Sequence, residues 1–178
     1  MRKILNNIYM ASGYLSGMSI LMITLLIVAQ VVGRLFGFIV PSAEDFAVYS
    51  LASATFFGLA YTFHEGGHIR VSLAIKSLPP KVRKFQEGAI LIFASVLSIF
   101  MAFYMTHLAW ESYLFEEVSY GYIPIPLWMP QVPVALGAIM FAIAILDDLV
   151  CMLQGKTPKY LQHEDEELSL DNDLGGEL

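Results

Sequence analysis

An all-α membrane protein with four transmembrane helices is what the sequence predicts, on three observations. The 178 residues are 57% hydrophobic and 15% charged, a balance that soluble domains rarely show. The apolar residues gather into four runs, about 11–33, 43–63, 88–110 and 130–153, each long enough to cross roughly 30 Å of hydrocarbon as a helix. Nine of the ten basic residues (Arg2, Lys3, Arg70, Lys76, Lys81, Arg83, Lys84, Lys156 and Lys159, but not Arg34) fall on one side of such a layout. By the positive-inside rule that side is the cytoplasm, so both termini are expected inside.

The first run follows Met1-Arg2-Lys3, which resembles the basic start of a secretory signal. Its apolar stretch exceeds the roughly 7 to 15 residues of such a signal, and no A-x-A site precedes Arg34, so it is expected to be a retained first span. The outer corner "PSAEDF" then offers Ser42 as an N-cap, with Glu44 and Asp45 in the first turn, where the helix dipole favours negative charge. Arg34 is expected to pair with Glu44 or Asp45 and set this corner; separately solvated charges, or contacts to a partner, are the alternative.

After the second span, "HIRVSLAIKSL" alternates apolar residues with Arg70 and Lys76, and "PPKVRK" follows. That composition suits a short amphipathic helix in the headgroup plane, with an irregular basic loop as the alternative. Pro80 fits the first turn of the third helix, where its missing N–H costs nothing. The next connection, "ESYLFEEVSYGYIPIPLWMPQVP", is expected outside, with Trp110, Tyr113, Tyr120, Tyr122 and Trp128 at the interface and Pro124, Pro126, Pro130 and Pro133 holding the chain extended until the fourth helix. Residues 1–155 thus make one transmembrane domain. Seven of the 16 carboxylates lie in "HEDEELSLDNDLGGEL", so 156–178 reads as an acidic, disordered cytoplasmic tail. Small residues recur at helical spacing (Gly13 and Gly17; Ser50, Ala54 and Gly58; Ala138 and Ala142) and allow close helix packing, within the chain or with a partner.

The chemical motifs argue mostly by what they lack. "HEGGH", His64 to His68, is a zinc-protease pattern. A site-2-type protease also needs an Asp from an Asn-x-x-Pro…Leu-Asp-Gly segment, whereas "LDD" at 146–148 has no Asn or Pro before it and no Gly after it. Gly66 and Gly67 further weaken a rigid metal-binding helix, at about 1 kcal/mol each relative to alanine. A shared haem fails because His107 lies 19 residues beyond Gly88, about 28 Å along the helix and near the opposite face from His64. The lone Cys151 makes no internal disulfide. The central turns of all four spans hold no Asp, Glu, Lys, Arg or His, and intramembrane ionisable groups are what mark ion and solute paths. No catalytic residue, metal or cofactor is expected in this chain, and no nucleic-acid partner; the membrane zinc protease, and an anchor for some other complex, are the runner-up readings.

In this order and spacing the residues resemble the small (DctQ-like) membrane subunit of tripartite ATP-independent periplasmic (TRAP) transporters. "VVGRLFGF" matches a first span ending in Arg before an aromatic turn, Glu44 and Asp45 match an acidic pair, and "FGLAYTFHEGGHIRV" matches a Gly-containing helix leading to His-Ile-Arg-Val. "SLPPKVRK" and "IPLWMPQVPVALG" match a basic Leu-Pro stretch, an Ile-Pro-x-Trp segment and a Pro-x-x-x-Gly opening of the last span. The chain departs from the pattern in having "PSA" where a Trp often precedes the acidic pair, and Ser72 where an Asp often follows His-Ile-Arg-Val.

The resemblance implies a non-enzymatic subunit in the bacterial inner membrane. It implies two partners besides the bilayer: a large (DctM-like) subunit carrying the solute and Na+ sites, and a soluble periplasmic (DctP-like) solute-binding protein. It implies Na+-coupled import of an organic carboxylate, such as a C4-dicarboxylate or sialic acid. Arg34, Glu44, Asp45, His68, Arg70 and Trp128 are its structural or interface residues, and the shared element is His68-Ile69-Arg70-Val71, with no need of His64. Glu111, Glu116 and Glu117, on the outer connection, are candidates for docking the binding protein.

Overall fold

The computed structural model describes residues 2–65 and 80–154. The expected headgroup-plane helix with His68 and Arg70, and the acidic tail, lie outside the described residues. Four helices make up the described chain: α1 (Arg2–Leu35), α2 (Ala43–His64), α3 (Pro80–Leu114) and α4 (Trp128–Leu153). Each contains a stretch apolar and long enough to cross a membrane. Pro80 does open α3. Pro130 and Pro133 fall within the first two turns of α4 instead of holding the chain extended before it. Pro130 lies in the first turn, where an N–H has no intrahelical partner to lose, whereas Pro133 lies inside the helix and forgoes the bond to the carbonyl four residues before it.

The helices pack as a row in the order α1, α2, α4, α3, with α1 also grazing α4. The pairs α1/α2 and α3/α4 are antiparallel hairpins, while α2 and α4 run parallel at the centre. Both outer helices use the same device. Along α1 the covered positions include a stripe of Tyr9, Ser12, Ser16, Ser19, Ile23, Leu26, Gln30 and Gly33; along α3 they include Gly88, Leu91, Ser95, Ser98, Ala102, Met105, Ala109 and Ser112. Both stripes repeat every 3.5 residues, the period of a left-handed helix seam.

The stripes are rich in small and polar residues and the opposite faces are large and apolar, as befits a protein whose solvent is lipid. Leu21, Leu25 and Val28 of α1, and Phe93, Val96 and Phe100 of α3, point outward. The serines close bonds to their own helices, for example from Ser95 Oγ to the Leu91 carbonyl at 2.7 Å and from Ser12 Oγ to that of Tyr9 at 2.7 Å. They therefore behave as small, self-satisfied side chains. Ser112 donates instead to a carboxylate beyond the helix end, and Ser16 donates across the seam to the Ala54 carbonyl of α2 at 2.8 Å. Such interhelical bonds are worth about 0.6 kcal/mol in a membrane. At the centre, Ala138 and Ala142 of α4 pack with Ala102 of α3, and Gly137 lies directly on the α2 backbone at Phe56 and Phe57.

Candidate functional site

The two connections at the end of the row away from the termini fold onto each other. α1 ends in a Schellman motif: Gly37, at φ 79°, donates to the Arg34 carbonyl at 3.2 Å, and Phe38 donates to that of Gly33 at 3.0 Å. A Cβ on Gly33 would stand 2.9 Å from the Phe38 ring, so glycine there lets the turn close. This is the structural content of "VVGRLFGF".

Next to it, Glu44 accepts 2.7 Å from Gln30 Nε2 and 3.4 Å from Arg34 Nη2, all on one carboxylate oxygen. Both charged partners are mostly exposed, at 68% and 75% of their side chains. The pair therefore contributes about 0–1 kcal/mol, and it orients the corner more than it stabilises it.

Asp45 takes no part in that cluster and instead lies against Gly121 of the α3–α4 connection. Ser42 corrects a sequence expectation. It occupies the N-cap position of α2, but at φ 55° its hydroxyl makes no capping bond. Its Oγ accepts the backbone N–H of Ile123 at 2.9 Å, across 81 residues. A non-glycine residue held in the left-handed region is disfavoured by roughly 1–2 kcal/mol, and here the geometry frees the hydroxyl to hold the other loop.

That loop is a short hairpin. Ser119 N–H donates to the Ile125 carbonyl at 2.8 Å and Leu127 N–H to that of Glu117 at 2.9 Å, flanking a Val118–Pro126 bridge. It springs from a second Schellman turn with Glu116 at φ 51° as the left-handed residue. In that turn Glu117 N–H donates to the Ser112 carbonyl at 3.1 Å and Glu116 N–H to that of Tyr113 at 3.4 Å. The Glu117 carboxylate turns back to accept from Ser112 Oγ at 2.8 Å. Glu111 lies 3.3 Å from His107 Nδ1 on the outer face of α3. Glu111, Glu116 and Glu117 are all exposed, and Glu111 and Glu117 have the side-chain partners just named. Trp128 opens α4 and meets Tyr113 edge-on at 5.8 Å, and Trp110 packs beside Tyr113 at 6.0 Å, an aromatic row at the helix ends.

The structure thus gathers Arg34, Glu44 and Asp45 at one corner and brings the hairpin after Glu117 onto it. Sequence reasoning missed Gln30 and Gly121. Gln30 precedes Arg34 by one helical turn, a spacing that places both on one face. Gly121, between two tyrosines in "YGY", is where a close backbone approach needs no Cβ.

At the other end, His64 Nε2 lies 3.1 Å from Asn6 Oδ1, and its ring packs on Tyr9 at 4.2 Å. The first histidine of "HEGGH" therefore ties α2 to the start of α1. Among the described residues no three His, Cys, Asp or Glu side chains converge as a metal site requires. Purified protein is expected to carry zinc well below one equivalent. His64→Ala is expected to leave assembly intact while lowering thermal stability by about 1 kcal/mol for the lost bond. A stoichiometric zinc that disappears with this substitution, measured by elemental analysis, would restore the protease reading.

No curated protein matches the chain. A family model, the DctQ component of the tripartite ATP-independent periplasmic transporters, matches residues 23–155. That stretch runs from the middle of α1 through the whole of α4, and so takes in both loops of the corner. The chain belongs to the DctQ-component family of TRAP transporters and is a non-enzymatic, inner-membrane part of such a transporter.

Proposed function

We propose that this chain is the scaffold subunit of a Na+-coupled importer of organic carboxylates. In this reading it sits with both termini in the cytoplasm, beside a large membrane subunit that holds the solute and Na+ sites, and below a periplasmic binding protein. The observation that carries the reading is the absence of ionisable residues from the central turns of all four spans. A row of helices sealed by self-satisfied serines and alanines offers no polar path, so solute and ion must cross elsewhere. The test is reconstitution in liposomes under an inward Na+ gradient. The three components together should take up substrate and this chain alone should not; uptake by this chain alone would overturn the scaffold reading.

The orientation places the hairpin and corner in the periplasm, where Glu111, Glu116 and Glu117 are proposed to meet the binding protein. Glu117 is engaged by Ser112 and Glu111 faces His107, so Glu116 is the carboxylate best placed to steer docking. Glu116→Lys keeps a non-glycine residue at the same strained position and reverses one rim charge. It should slow association with the binding protein roughly two- to five-fold at low salt, with the difference shrinking as salt rises. Stopped-flow association rates unchanged at every ionic strength would remove the hairpin from the docking surface.

A further inference from the structure

Two contacts between helices fix the depth of the side chains in the row. Gly137 of α4 lies on Phe56 and Phe57 of α2, and Ala138 packs with Ala102 of α3, so these residues share one level. From that level Glu44 and Asp45 stand about three turns towards the corner, roughly 17 Å, and Asp147 and Asp148 about three turns towards the termini, roughly 16 Å. The two acidic levels bracket roughly 30 Å of hydrocarbon, whose middle therefore passes through Gly137 and Ala102.

Counted along α3 from Ala102, His107 lies about 8 Å from that middle and Glu111 about 14 Å. The imidazole is thus inside the hydrocarbon and the carboxylate is at its edge. Neither turns into the fold. At about 100° per residue both share the face of Phe93, Phe100 and Phe103, opposite the seam that runs from Leu91 to Ala109, and their side chains are 51% and 49% exposed. His107 Nδ1 lies 3.3 Å from Glu111 Oε2, and the ring stacks on Phe103 at 6.0 Å. Its Nε2 has no hydrogen-bond partner among the described residues.

Exposed hydroxyls elsewhere in the spans need nothing from outside. Those of Ser19, Thr24 and Thr55 each donate to the carbonyl four residues back. At the depths of His107 and Glu111, counted from the Ser16–Ala54 contact, α1 presents Leu21 and Leu25, which suit acyl chains. Ionisable side chains within spans face protein or a water-filled cavity and seldom lipid, and a polar atom left unbonded among acyl chains costs free energy. The face of α3 at His107 is therefore built for a protein neighbour. With Nδ1 towards a carboxylate, the neutral ring carries its proton there and offers Nε2 as an acceptor.

Given the scaffold reading, on which this inference rests, we propose that the outward face of α3 between Phe100 and Glu111 is covered by a membrane helix of the large subunit, which presents a hydroxyl or amide as donor to His107 Nε2. Such groups bond across helices within the bilayer without bringing a charge to that depth.

The test uses the assembled complex with the full-length chain in lipid vesicles. A photoreactive benzoylphenylalanine replaces Phe103 on α3 or, as the comparison, Leu25 on α1, and the adducts are identified by mass spectrometry. Position 103 should crosslink to a peptide of the large subunit and position 25 to lipid. His107→Leu should weaken the complex in detergent roughly threefold, the size of one interhelical hydrogen bond, with the melting of the isolated chain unchanged. His107→Gln, which keeps an acceptor oxygen, should lose less. Lipid adducts at both positions, or a His107→Leu complex as tight as the parent, would overturn the proposal and leave the scaffold reading standing. Failure of the parent chain to copurify with the large subunit would overturn both.

Discussion

Replacing Gly137 with leucine is expected to prise α2 from α4 and to destabilise the fold by about 1–3 kcal/mol, towards the upper end of what overpacking costs. The reason lies in what a side chain would meet. A Cβ at Gly137 would stand 2.7 Å from the Phe56 Cβ, 2.9 Å from the Phe56 carbonyl carbon and 3.0 Å from the Phe57 nitrogen. Two of these three atoms are backbone, so no rotamer change relieves the overlap and a whole helix must move. Because α2 and α4 are the central pair of the row, moving one also disturbs its outer neighbour. Even Gly137→Ala should be destabilising, although alanine ordinarily gains about 1 kcal/mol over glycine inside a helix.

Gly17→Ala is the internal control, since a Cβ there meets nothing, and it should be neutral or mildly stabilising. Thermal melting of the purified protein in one detergent compares the three. Coincident melting of Gly137→Leu and the parent would show that α2 and α4 do not touch as described.

Gly121→Val should detach the hairpin from the α1–α2 corner while leaving the four helices in place. The valine Cβ would overlap the Asp45 carboxylate and stand 3.1 Å from Ser42 Oγ, and Ser42 is the acceptor for Ile123 N–H. Losing this contact is expected to raise amide hydrogen exchange at Ile123 roughly ten- to a hundred-fold, corresponding to local destabilisation of about 1–3 kcal/mol. Helical content and the melting of the membrane core should change little. Ser42→Ala removes the acceptor without adding bulk and should give a smaller increase at the same amide, on the order of fivefold for about 1 kcal/mol. Exchange at Ile123 that is already fast in the parent, or unmoved by either substitution, would show that hairpin and corner are independent.

The family motifs acquire physical reasons from the same contacts. Gly137 is the glycine of the Pro-x-x-x-Gly segment, and the helix contact on Phe56 accounts for a small residue there. The acidic pair at the start of α2 divides its work: Glu44 gathers Gln30 and Arg34, whereas Asp45 faces Gly121. The Arg-aromatic turn after α1 is a glycine-closed Schellman cap. His68-Ile69-Arg70-Val71, the other shared element, lies outside the described residues.

By itself the sequence determined the four membrane-spanning helices of the described residues, their approximate extent and their suitability for lipid. These follow from the length of apolar runs and from the cost of unpaired backbone groups in hydrocarbon, both local properties of the chain. The helix start at Pro80 was legible for the same reason. Only the tertiary structure decided the order of the helices in the row, because Gly, Ala and Ser faces serve any close neighbour equally well and all four helices carry them. It also decided where polar side chains go. Ser42 reads as a cap because capping is the nearest use for its hydroxyl, yet an amide 81 residues away takes that oxygen once the hairpin folds over it. Asp45 and Glu44 are adjacent in sequence and alike in charge, and helical geometry turns neighbouring residues about 100° apart. One therefore faces the α1 corner and the other the α3–α4 hairpin, a difference that exists only after those elements have packed.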